Sequence, residues 1–156
     1  MRGNGWLVLM AAIAGVFFMI RKTWAIPEAG KPYAALFEFV EKNYGLPKNL
    51  LARMAQQESS YNPKAVSPVG AQGLMQIVPR WHPTVDPFNT PEAINYAGRF
   101  MAANYKQFGS WALALAAYNW GPGNIAKNRN PAAWPDETKN YVAKIGGDID
   151  DTVKWA

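Results

Sequence analysis

The sequence predicts an all-α domain preceded by one N-terminal apolar helix, on three observations. Apolar residues recur at spacings of three and four along most of the chain, and no stretch alternates convincingly with period two. The third is an uncharged, apolar run near the N-terminus that stands apart from everything after it. At 156 residues the chain is one domain's worth, and with 49% apolar residues and seven Trp it can build a real core.

The elements follow in order. Trp6 to Ile20 (WLVLMAAIAGVFFMI) holds no charge, and the uncharged run extends back to Gly3. As a helix it reaches about 27 Å, just the hydrocarbon thickness. Arg2 precedes it; Arg21, Lys22 and Trp24 follow as interfacial anchors would. Residues 1–25 are therefore expected to be a transmembrane anchor. The alternative is a cleaved signal peptide ending near Ala25, although Thr23-Trp24-Ala25 is a poor small-residue site. The heavier positive flank lies on the domain side, which the positive-inside rule would place in the cytoplasm.

Residues 26–32 (IPEAGKP) are expected as a linker, 33–147 as the helical domain and 148–156 as a solvated tail. Tyr33 to Tyr44 carries Leu36, Phe37, Val40 and Tyr44 on one face, and Gly45 ends it. Pro47 suits the first turn of a second helix running to about Ser60. Gly70 to Ile77 is expected as a short helix stopped by Pro79, and Pro91 to Phe108 as a long one with Ile94, Ala97, Met101 and Tyr105 on one side. Trp111 to Tyr118 (WALALAAY) is apolar almost all round, as a buried central helix would be. Asp136 to Ile145 is the last, with Gly146-Gly147 after it.

Composition narrows the function classes. The formal charge of +5 suits an anionic partner: nucleic acid, acidic lipid or the bacterial cell wall. There is no RG-rich run, zinc-ligand set or basic helix, which argues against nucleic acid. With no cysteine and a single histidine, His82, neither a thiolate or His-based metal centre nor a His triad is expected. The DIDD run in the tail lacks the spacing of a calcium loop. No cofactor is expected.

One residue is out of place. Leu51, Met54 and Ala55 form the core-facing stripe of the second helix, and the next member of that stripe is Glu58. A carboxyl there is partly desolvated, which raises its pKa, and a general acid at neutral pH requires such a pKa. A helix-end glutamate turned aside to bond an amide or a lysine would explain it equally well in isolation. The context beyond it is stiff and polar: Asn62-Pro63, Ser67-Pro68, Gly70, Gly73 and Gln76. Such a floor suits a hydroxyl- and amide-rich ligand, a sugar chain, although the same residues make ordinary turns. Two further segments stand out. AYNWGPGNI, from Ala117, brings Tyr118, Asn119 and Trp120 to a helix end; ETKNYV brings a second carboxylate, Glu137, with Tyr141 one turn later.

Taken together, ES-SYNP-A-S-GA-GLMQ, AYNWGPG and ET-NYV resemble the lytic transglycosylases of the soluble (SLT) type, relatives of goose-type lysozyme. The resemblance runs from about Leu46 to Ile145 and implies a lysozyme-like helical fold. It implies that Glu58 is the catalytic acid. It further implies that Ser67, Gln76, Tyr118 and Asn119 contact substrate, and that Glu137 has a buried structural or substrate-side role. The implied substrate is peptidoglycan, cut between N-acetylmuramic acid and N-acetylglucosamine to leave a 1,6-anhydromuramyl end. Val78 departs from the pattern, standing where many relatives have methionine.

One acidic residue suffices for that reaction. Protonated Glu58 donates to the glycosidic oxygen; the substrate's N-acetyl group stabilises the developing cation; ionised Glu58 then takes the proton of the attacking 6-hydroxyl. Two rivals share the residues. A hydrolytic muramidase would need a carboxylate to hold water, for which Asp86 in the DPFN loop is the attractive candidate. A non-catalytic wall-binding assembly protein would keep the groove without the chemistry. A small anchored domain facing the wall suits local opening, by a secretion machine or an entering phage particle.

Overall fold

The structure, a computed structural model, describes residues 24–147 together with two short strands, Ala12–Ile13 and Val16–Phe17. Six α-helices make the domain: α1 (Ala34–Tyr44), α2 (Leu50–Ser59), α3 (Thr90–Phe108), α4 (Trp111–Trp120), α5 (Pro122–Lys127) and α6 (Asp136–Gly146). The expected anchor lies outside the described residues except at those strands, which pair antiparallel, Ala12 with Phe17 and Ile13 with Val16, rather than continuing a helix. Among the described residues no helix is long and apolar enough to cross a membrane. The expected tail also lies outside them.

Helix α4 is the hub. Ala112, Ala114, Ala116 and Ala117 are buried beside Leu115, and side chains this small let α3, α5 and α6 approach closely. Helix α1 crosses α3 at Gly98, where a β-carbon would stand 2.3 Å from Val40 Cγ1. The α3 stripe keeps Ile94, Ala97 and Met101 buried but not Tyr105, which stacks on Trp111 at 4.1 Å between ring centroids. Ser110 and Asn89 cap α4 and α3 through their side-chain oxygens.

Four expectations change. The linker contains a 3-10 helix, Glu28–Tyr33, because buried Gly30 packs where a β-carbon would meet the Tyr61 ring at 2.7 Å. Trp24, ahead of it, lies under the Arg53 guanidinium at 4.6 Å. Helix α2 starts after Pro47, not at it, because Asn49 is left-handed at φ 66°. The short helix over 70–77 is absent: Gly70, Gly73 and Gln76 take φ of 88°, 73° and 48°, incompatible with helix, and the segment closes instead through bridges Val66–Gln72 and Gln72–Ile77. Conversely α5 forms after Gly121, where no helix is expected from the sequence; Pro122 sits at its first position, where its missing N–H costs nothing.

Glu41, buried on α1, caps α2 from outside. Its carboxyl oxygens accept from Asn49 N at 2.9 Å and Leu51 N at 2.8 Å, donors that the start of a helix leaves unpaired. Burial pushes its pKa up while the two amides pull it back. Glu41→Ala should strand both amides and cost about 2 kcal/mol, with Glu41→Gln losing less. Thermal melts of the two variants check this; equal loss would show that packing, not capping, is what Glu41 contributes.

Candidate active site

Helix α2 delivers Glu58 in its last turn, on the stripe of the fully buried Leu51, Met54 and Ala55. Two devices then turn the chain sharply. Ser59 Oγ donates to Leu74 O at 2.8 Å, and Ser60 and Tyr61 take positive φ. The polar loop is thereby folded back beside the glutamate.

Burial raises the Glu58 pKa to about 7, the like charge of Glu137 adding to it and the Tyr141 hydroxyl opposing it. Glu58 is thus substantially protonated at neutral pH. Tyr141 is buried on α6, and its hydroxyl faces the Glu58 carboxyl, where hydrogen bonding favours the charged form. Tyr118 approaches from α4, its own ionisation suppressed by burial and by Glu58.

Beside this acid opens a cavity of about 550 Å³ lined by residues including Gln76, Trp81, His82, Tyr96, Tyr118, Asn119 and Trp120. Glu58 does not line it; Tyr118 is the link, touching the cavity and feeling the Glu58 charge. The wall is largely aromatic: Tyr96 and Phe100 stack, His82 packs on both, and Phe100 meets Tyr118 edge-on. Burial lowers the His82 pKa, which favours its neutral form, and its Nδ1 is hydrogen-bonded to the Tyr96 hydroxyl.

The residues singled out in the sequence fall into distinct positions. Asn119 Oδ1 accepts from the buried Thr138 hydroxyl at 2.7 Å, which leaves the amide N–H donors for the cavity. Tyr118 donates to Met75 O at 2.8 Å, so only its oxygen lone pairs remain. Gln76 Nε2 is committed to Ala65 O and Gly73 O, and only the amide oxygen is left to act in the cavity. Ser67 lies away from the cavity lining, its Oγ accepting from Ala71 N at 3.0 Å within the loop. Glu137 is exposed, which corrects the buried alternative: at the start of α6 its carboxylate is free to stay in water, and it acts on Glu58 from there. Thr138 and Tyr141 were given no role from sequence. Their signal was spacing alone, Tyr141 following Glu137 by one helical turn toward α4.

Asp86, the candidate water-holder, is exposed and accepts from Phe88 N at 2.9 Å inside its own turn. It contributes nothing to the Glu58 shift. Among the described residues no group of three or more His, Cys, Asp or Glu could hold a metal ion.

The family model of the Transglycosylase SLT domain matches residues 35–141. The chain belongs to the SLT transglycosylase family. It is 36% identical over 141 residues to the soluble lytic murein transglycosylase of Escherichia coli (strain K12), a match covering 78% of this chain and 21% of that protein. To the transglycosylase of Enterobacteria phage PRD1 it is 35% identical over 105 residues, covering 65% of this chain and 37% of the phage protein. Among solved structures it is similar to the inactive glutamate-to-glutamine mutant of the lytic transglycosylase Slt from Pseudomonas aeruginosa, with TM-score 0.59 and 28% identity over 73% of this chain and 23% of that one. This SLT domain therefore spans about a fifth of the bacterial relatives' length. The matched span begins ahead of the motifs, at the first turn of α1, so the family pattern includes the helix that carries the α2 cap.

Proposed function

We propose that this chain is a peptidoglycan lytic transglycosylase that cleaves the β-1,4 bond from N-acetylmuramic acid to N-acetylglucosamine and leaves 1,6-anhydromuramyl ends. The observation that carries the reading is Glu58, a carboxyl held to about pH 7 beside an aromatic cavity. In that state it can protonate the glycosidic oxygen and, once ionised, accept the proton of the muramyl 6-hydroxyl. Asn119 and Gln76 offer a donor and an acceptor suited to an N-acetyl group. The position of Asp86, committed to its own turn, favours intramolecular attack by that hydroxyl over hydrolysis.

Mass spectrometry of digested sacculi tests this: anhydromuramyl products are expected, and reducing muramic ends would exclude the proposal in favour of a muramidase. Two substitutions test the acid itself. Removing the Tyr141 hydroxyl (Tyr141→Phe) should move the alkaline limb of the pH–rate profile upward; removing the Glu137 charge (Glu137→Gln) should move it downward. Unmoved limbs would mean another group titrates. The apolar run at the N-terminus and its basic, Trp-bearing flank support a membrane-held domain that faces the cell wall or travels in a phage particle and opens wall locally. Membrane fractionation with intact mass would distinguish this from a cleaved signal peptide.

A further inference from the structure

Trp81 is 66% exposed, unusual for the largest apolar side chain, yet it lines the cavity. It stands on the loop after Ile77, whereas Trp120, the other indole of the cavity, comes from the end of α4. The Arg80 guanidinium lies over the Trp81 ring at 4.5 Å. Among the described residues Arg80 has no carboxylate partner and no hydrogen bond, so the cation is positioned by the ring with its N–H fork unspent. The guanidinium covers one face of the indole, and the same side chain lines the cavity. An apolar ring open to water is ill-suited to stability but well suited to the C–H face of a sugar. A fixed guanidinium at the rim is complementary to a carboxylate travelling with that sugar.

We propose that Trp81 and Arg80 form a subsite for a peptide-bearing muramyl residue: the indole stacks on the pyranose, and the guanidinium pairs with a carboxylate of the peptide stem. This rests on reading the cavity as a glycan site and deepens it, because it makes the enzyme selective for peptide-bearing over denuded strands.

The test uses the full chain and glycan strands with and without their peptides, the latter prepared with an amidase. The wild type should show a kcat/KM about fivefold higher on peptide-bearing strands, and Arg80→Gln should bring that ratio to about one. Trp81→Ala should raise KM about tenfold with little change in kcat, and Trp81→Phe should recover most of it. Because the ring positions the cation, adding Arg80→Gln to Trp81→Ala should change the ratio no further. In parallel, the Glu58→Gln variant is titrated with peptide-bearing and peptide-free muramyl fragments, followed by tryptophan fluorescence, with and without Arg80→Gln. Cleavage with a ratio indifferent to Arg80 overturns the subsite and leaves the enzymatic reading standing. Arg80-dependent binding without any anhydro product supports the subsite and overturns the chemistry. Fragments that bind equally well with and without their peptides overturn the subsite directly.

Discussion

Glu58→Gln is expected to abolish wall clearing in a zymogram and to lower kcat by several orders of magnitude, while the fold and substrate binding survive. The amide keeps the volume and can still donate an N–H, but it cannot release a proton to a departing glycosidic oxygen or take one from the attacking hydroxyl. The wild type should lose activity as pH rises through about 7, because that is where its acid ionises. The same shift has a stability consequence of definite sign. The folded protein keeps this proton up to about pH 7, whereas the unfolded chain releases it near 4.5, so charge on Glu58 opposes folding progressively between those values. The variant carries no such charge and should be more stable than wild type at pH 8, by about 1 kcal/mol after allowance for solvent screening. At pH 4 the two should melt alike. Clearing equal to wild type would remove Glu58 from the chemistry. An inactive variant without the stability gain at pH 8 would show that Glu58 is better solvated than its place on the α2 stripe implies.

Glu41 shows what a sequence pattern could and could not distinguish. It continues an apolar stripe just as Glu58 does, one turn after Phe37 and beside Val40, and it too is buried with a raised pKa. Its partners decide its role: two backbone amides of α2 hold Glu41 as a cap, whereas Glu58 faces a tyrosine hydroxyl and a second carboxylate next to a cavity. No local pattern carries that difference, because it depends on which helix lies opposite. The helices themselves were readable because burial imposes a period of three to four, and all but α5 were anticipated. The loop between α2 and α3 was read less well. Positive φ at Gly70 and Gly73 is what glycine permits, but the same conformation at Ser60, Tyr61 and Gln76 is imposed by tertiary contacts. Trp120 stands out in the sequence within AYNWGPGNI, whereas Trp81 becomes visible only through its exposure in the wall of the same cavity.

Gly73→Ala should be the most damaging substitution outside the acid itself. Gly73 sits at φ 73°, where a β-carbon is strained, and that carbon would stand 1.8 Å from the backbone oxygen of Pro87. A flexible side chain could give way; a carbonyl in a loop between two prolines and α3 has to take its backbone with it. The two causes together should cost about 3 kcal/mol, or roughly 6–12 °C in Tm. The damage should reach the cavity, because Gly73 N donates to Ala65 O at 2.8 Å and Gly73 O accepts from Gln76 Nε2 at 2.9 Å. Displacing Gly73 therefore releases Gln76, one of the loop residues that line the cavity. Gly70→Ala separates the two causes, since Gly70 shares the loop and a positive φ of 88° but a β-carbon there meets nothing within 4 Å. It should lose only the conformational part, about 1 kcal/mol, and keep nearly full activity. If the two variants melt together, contact with Pro87 is not what fixes the loop, and Gln76 must be held by some other part of the structure.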